Sequence, residues 1–247
     1  MKTSNGMKFH VVTLFPEVIE AYAQASILGR AQKEKKISIK TYQLRDSVTN
    51  KWGKADERPY GGGPGMVLQA EPVVRAVEHI KKRLNQNERH RMSLMGWVRV
   101  LITAAGGKPL TNAYAKKLSK EKNVIIICGR YEGIDARAKK ILSAGGGSSS
   151  GGKARVEEVS VGPYILTGGE IPALAIIDAT ARQIPGVLGK FESLEESRVA
   201  SHEIYTRPEV IIHKGKKYRV PRVLLTGHHE KILEWKRKRN NRVKRTQ

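Results

Sequence analysis

Cysteine is almost absent from this chain of 247 residues: the single one, Cys128, has no partner for an internal disulfide and lacks the neighbours that a zinc site requires. It ends the apolar run Val124 to Cys128 and reads as a buried strand residue. Long hydrophobic stretches are missing too. No run of about 18 apolar residues occurs and no signal-peptide pattern follows Met1, so a soluble, cytoplasmic protein without a membrane partner is expected. Acidic side chains are scarce: 23 Asp and Glu stand against 46 Lys and Arg, a formal net charge of +23. That excess goes far beyond what solubility demands and points to a polyanion, nucleic acid first.

What is present is an alternation of strand and helix patterns. Residues 1–6 are polar and read as a disordered lead, or as the product of an earlier start than Met7. A strand pattern runs from Lys8 to Phe15, and Glu17 to Lys35 carries Val18, Ile19, Tyr22, Ala23, Ile27 and Leu28 at helical spacing. A strand over Ile37–Leu44, a long loop over Arg45–Met66, a helix over about Glu71–Leu84 and a strand over Val98–Thr103 follow. Next come a helix over about Asn112–Lys120 and the strand Val124–Cys128. Such alternation argues for an α/β fold with a mostly parallel sheet covered on both faces.

The stretch 143–152, SAGGGSSSGG, has no side chain able to bury a core and reads as a flexible link within the first domain, 7–189. Order returns from Glu157, and Ile171–Gln183 is a strongly apolar helix with Pro172 in its first turn. The charged segment 190–201 reads as an interdomain linker, and 202–247 as a small C-terminal domain. In that domain Tyr205–Pro221 is extended or looped, Gly227 to about Arg242 is a basic helix, and the end is a basic tail suited to phosphate.

Three glycine-rich segments carry the chemistry. Asp56 to Met66, DERPYGGGPGM, lets backbone approach a ligand, but no Gly-Lys-Ser/Thr follows and it is not a P-loop. GRYEGID, Gly129 to Asp135, leaves the carboxyl end of a central strand, where open α/β sheets bind ligands. GPYILTGGE, Gly162 to Glu170, stands just before the apolar helix, and its backbone can hydrogen-bond an adenine while Ile165 and Leu166 pack on the ring. Singly, each is explained as well by a tight turn. The pair His228-His229 lacks further ligands at metal spacing and fits capping or RNA contact better than a metal.

Taken in order, DERPYGGGPGM, GRYEGID, GPYILTGGEIPA, ARQIPGVLG, YTRPEV and TGHHEKILEWK closely resemble the bacterial tRNA (guanine-N1)-methyltransferase family, TrmD, from Met7 to about Arg239. The resemblance implies a SPOUT fold, with the C-terminal part of the sheet tied into a deep trefoil knot, and a small helical C-terminal domain. It implies a homodimer, tRNA as partner, S-adenosylmethionine as methyl donor, and magnesium as an assisting ion. Its cofactor loops correspond to Gly129, Tyr131 and Gly133, to Val161, Gly162, Pro163, Tyr164, Ile165 and Leu166 with Gly168, Gly169 and Pro172, and to Leu101–Gly107. Arg182 matches the arginine that polarises guanine near O6, and Asp56 and Arg58 match residues that approach the acceptor base.

The chain departs from the pattern at several of these points. LITAAGG at 101–107 replaces Tyr-Leu-Ser-Pro-Gln-Gly, Pro163 replaces Asp, and Trp52 replaces His. At the linker position of the general-base Asp, ungapped counting from Gly189 gives Ser197, which is not basic enough at neutral pH to take a proton. Glu196 is then the expected base, with Glu195 or Asp56 as substitutes. Two functions follow: methylation of N1 of the guanine at tRNA position 37, or a tRNA-binding protein of the same fold with impaired catalysis.

Overall fold

The computed structural model describes residues 6–87, 98–144, 155–188 and 203–243. The chain divides into two compact units, Met1–Gly189 and Lys190–Gln247.

The first unit is built on five parallel strands: β1 (Met7–Thr13), β2 (Ile37–Gln43), β5 (Arg99–Pro109), β6 (Asn123–Ile127) and β7 (Arg155–Ser160), in the spatial order β2-β1-β6-β5-β7. Side-chain alternation sorts these strands between two cores. Phe9, Val11, Val124 and Ile126 face one layer, and Val12, Ile125 and Ile127 face the other. The first layer is covered by α1 (Pro16–Ala23), α2 (Ser26–Lys33), α4 (Asn112–Leu118) and α6 (Glu170–Ala181). The second is covered by α3 (Ala70–Asn87) and α5 (Ala136–Ser143). A two-residue ribbon, β3 (Asp56–Glu57) with β4 (Val67–Leu68), ties together the ends of the long glycine-rich loop.

The single helix expected over Glu17–Lys35 is two helices. Ala25 donates its N–H to Tyr22 O at 3.1 Å, Ser26 turns to a positive φ of 44°, and α2 restarts there. Gly29 permits the tight return, since a Cβ on it would lie 2.1 Å from Gln24 O. Strand β5 outruns the expected Val98–Thr103: its pairing with β7 shifts register between Thr103 and Lys108, so residues 104–107 leave the ladder and the strand then resumes. Strand β7 buries part of Glu157, which the hydroxyl of the buried Tyr114 meets at 2.7 Å and the Arg99 guanidinium pairs. Arg99 also reaches Glu121 at 2.8 Å, so its charge, 3% exposed, is balanced on two sides.

The second unit contains an antiparallel hairpin, β8 (Val210–His213) with β9 (Lys216–Arg219), turned at Lys214 and Gly215, both at positive φ. A 3₁₀ turn over Arg222–Leu225 and helix α7 (His229–Val243) follow, with the Tyr205 and Trp235 rings 6.4 Å apart.

Candidate active site

At the carboxyl edge of the sheet, the chain leaving β5, β6 and β7 converges on one crevice of about 500 Å³. Glycine at close approach makes this possible. Gly169 N–H donates to Gly129 O at 2.7 Å, and Gly129 N–H donates to Thr103 Oγ1 at 3.0 Å. Thr103 in turn donates to Ile127 O at 3.3 Å. A Cβ on Gly169 would lie 2.1 Å from Thr103 Oγ1 and 2.6 Å from Gly129 N, so no larger residue fits without displacing backbone. Gly106 and Gly133, by contrast, leave open space beside their Cα atoms, and backbone there is free to meet a ligand.

Beneath these loops lies a buried charge. Glu170, 4% exposed, accepts from Thr13 Oγ1 at 2.7 Å and faces Arg130 Nε at 3.4 Å. The Arg130 guanidinium lies 4.3 Å above the Phe15 ring and reaches Thr167 O at 3.3 Å. One ion pair thus joins the segment after β6 to the first residue of α6. Cys128 sits beside this network, and complete burial pushes its thiol well above the usual range, so it is not a nucleophile here. At the rim, Asp135 caps α5 by accepting from Arg137 N–H at 2.9 Å. The Arg137 guanidinium on the same carboxylate holds it below the usual Asp range.

The glycine-rich loop is stitched to this crevice. Glu132 N–H donates to Met66 O at 3.0 Å, Leu68 N–H to Gly133 O at 3.0 Å, and Asp135 N–H to Leu68 O at 2.9 Å. The Glu132 side chain lies on Gly65, whose absent Cβ would be 2.6 Å from Oε1. Between these ties, Gly61, Gly62 and Gly63 hold positive φ with nothing packed on them, and Tyr60 is fully exposed.

A family model described as tRNA (Guanine-1)-methyltransferase TrmD matches residues 7–247. The chain belongs to the TrmD family. Among curated proteins named tRNA (guanine-N(1)-)-methyltransferase, that of Desulforamulus reducens is 38% identical over 238 residues, 95% of this chain and 84% of its own length. That of Geobacter sp. is 39% identical over 245 residues, 97% of this chain and 86% of its own. For Clostridioides difficile the identity is 38% over 241 residues, 96% and 94%.

Against the TrmD pattern, the crevice brings together Gly129, Tyr131, Gly133, Val161, Gly162, Tyr164, Ile165, Leu166, Gly168, Gly169 and Pro172 as lining residues. Ala104, Ala105 and Gly106 also line it, whereas Gly107 does not: its Cα packs against β7, with room for no Cβ because Val159 N would be 2.6 Å away. Pro163 is likewise outside the lining, on the exposed turn that Tyr164 makes over Gly162. Asp56 lies in β3 and Arg182 at the end of α6, and neither lines the crevice. Glu196, with Glu195 and Ser197, is outside the described residues.

Thr103, Glu132 and Glu170 stand inside the motifs of the sequence without a role that the pattern assigns, and nothing local marks a threonine as the hinge of two loops. Glu170 gave the clearest signal, an acid opening an otherwise apolar helix, though its partner Thr13 lies 157 positions away.

Proposed function

We propose that this chain methylates N1 of guanine in tRNA, at position 37 beside the anticodon, with S-adenosylmethionine as donor. The observation that carries the reading is the convergence of three separate glycine-containing loops on one crevice, in a chain of the TrmD family. The size of about 500 Å³ suits a nucleoside-sized ligand. Backbone groups near Gly129, Gly133 and Leu166 meet the edge of an adenine, while Ile165, 89% exposed in the single protomer, and Leu166 offer apolar cover for the ring. When bound, S-adenosylmethionine supplies a methyl carbon made electrophilic by its sulfonium.

The protein's own work is then orientation and proton removal. Arg182 hydrogen-bonds O6 of the guanine and draws electron density from N1. The N1 proton passes to the carboxylate of Glu196, freeing the lone pair for in-line attack. Asp56 and Arg58, on the loop stitched to Glu132 and Gly133, hold the acceptor base, so occupancy of the crevice steadies the segment that meets the RNA. Among the described residues no group of three or more His, Cys, Asp or Glu is arranged to hold a metal ion.

We read the fold as the knotted SPOUT domain and the working form as a homodimer. Supporting the latter, α6 is mostly apolar, yet its Ile171 is 59% exposed, and on the neighbouring α1 Val18 and Tyr22 are 40% and 48% exposed. The net charge of +23 suits tRNA, and no helix among the described residues is long and apolar enough to cross a membrane.

Calorimetric titration with S-adenosylmethionine, followed by transfer of labelled methyl to tRNA carrying guanine at position 37, tests the reading. Binding followed by transfer is expected. Binding without transfer would overturn it in favour of an impaired tRNA-binding protein, the outcome that Ser197 at the general-base position would give. Single-turnover rates of Glu196→Gln and Asp56→Asn assign the base: the first falls by about 10²–10⁴ if Glu196 takes the proton.

A further inference from the structure

Away from the crevice, a second cleft of about 500 Å³ lies between the edge strand β2 and helix α3. Lys40 and Tyr42 form one wall, Arg75, His79 and Arg83 the other, with Asp46 at one end. The three helix residues recur every fourth position and so form a single ridge. Its direction is fixed, because Val73, Ala76, Val77 and Ile80 on the neighbouring face are buried against the sheet.

The charge in this cleft is unbalanced. Arg75 is paired with Glu71, but no carboxylate among the described residues pairs with Arg83 or Lys40. Arg83 Nη1 instead stands 3.5 Å from His79 Nε2, and Lys40 Nζ lies 5.4 Å from the Tyr42 ring centre. The Tyr42 hydroxyl is held in place by His10 Nδ1 at 2.9 Å. Arg83 and Lys40, both lining the cleft without a paired carboxylate, leave there a positive charge that an anion balances. Ser47 and Thr49 add hydroxyl donors to the same cleft. Apart from the Tyr42 ring and Ala76, the lining is polar or charged, so the buried apolar anchor that a protein partner would need is lacking. Arginine, lysine and hydroxyl donors together are the set that grips phosphate oxygens.

We propose that the cleft between β2 and α3 holds backbone phosphates of the RNA substrate, outside the methyl-transfer site. This rests on the RNA reading above and extends it. Strand β2 ends at the same sheet edge as the crevice, and the chain passes from it through Asp46, Ser47 and Thr49 into the loop carrying Asp56 and Arg58. Phosphates seated there anchor the RNA at the root of the loop that meets the acceptor base.

The test is equilibrium binding of fluorescent tRNA to the full chain, wild type and Lys40→Ala/Arg83→Ala, over a series of salt concentrations. Loss of two phosphate contacts lowers the magnitude of the log Kd against log salt slope by about 1.5–2 and weakens binding roughly tenfold near physiological salt. Calorimetric affinity for S-adenosylmethionine, expected to match wild type, serves as the folding control. A double variant with the wild-type slope and affinity for tRNA overturns the proposal while leaving methyl transfer by the wild type intact. Absence of methyl transfer by the wild type strikes the enzymatic reading instead, and tRNA binding still decides the cleft.

Discussion

Replacing Gly169 by alanine tests the packing that makes the crevice. The φ of this residue is −83°, so alanine has no conformational objection to the position, and any penalty comes from space alone. The new methyl would lie 2.1 Å from Thr103 Oγ1, 2.6 Å from Gly129 N and 2.7 Å from Cys128 Cα. The hydroxyl can rotate away, but only by giving up its bonds with Ile127 O and Gly129 N–H, each worth about 1 kcal/mol. The two backbone atoms must retreat together, which costs about 1–3 kcal/mol for overpacking. The sum, about 3–5 kcal/mol, lowers the melting temperature by roughly 6–20 °C in a domain of this size. Because Gly129 and Gly169 both line the crevice, affinity for S-adenosylmethionine should fall at least about tenfold as their mutual hydrogen bond is broken. Calorimetry of unfolding and of ligand binding reads both effects. Gly106→Ala is the matched control, since its Cβ meets nothing within 4 Å, and its stability stays within about 0.5 kcal/mol of wild type. A Gly169→Ala protein that melts and binds like wild type would refute the close contact of these three segments.

Glu170→Gln keeps the shape but removes the counter-charge of Arg130, and should cost about 1–2 kcal/mol in urea unfolding, with weakened S-adenosylmethionine binding. An unaltered midpoint would show the ion pair to be inert. Burial holds His10 at about 4, below the 6.5 of an unconstrained imidazole, so between these values the unfolded chain takes up a proton that the folded one refuses. Stability therefore falls as pH drops from 6.5 towards 4, by up to about 3 kcal/mol, and His10→Gln flattens that limb; equal slopes for both proteins would count against it. Tyr114→Phe deletes a 2.7 Å hydrogen bond to Glu157 and should lower the free energy of urea unfolding by about 1–2 kcal/mol, whereas no change would mean that the carboxylate is satisfied by Arg99 alone.

The central strands were legible because nearly every position is apolar: Val124 to Ile127 and Phe9 to Val12 are buried from both sides, as their composition demands. Strand β7 was not, since Glu157 and Glu158 break the apolar pattern and find partners only in distant elements. Helix α5 escaped for the opposite reason: Ala138 and Leu142 are its only buried residues, too sparse a stripe to give a period. The loops around the crevice were legible as an ordered series of glycine motifs, and most of the residues singled out in them line it. The stitching of Met66 and Leu68 to residues 132–135 was not, because hydrogen bonds between backbone groups leave no trace in side-chain identity. Gly107 shows the limit in the other direction, since its small size serves the strand beneath and not the crevice.

The excursion of residues 104–107 out of β5 is clamped at both ends, by Thr103 opposite Val159 and by Lys108 and Pro109 opposite Val159 and Ser160. Such a segment behaves as a fixed shelf, and lifting it would mean peeling two stretches of sheet at once. The facing wall, where Tyr164, Ile165 and Leu166 stand exposed, has no such clamp in the ladder. Amide exchange should divide the crevice accordingly, slow along the clamped strand ends and fast across 164–167, with the fast side alone quieting when the donor binds.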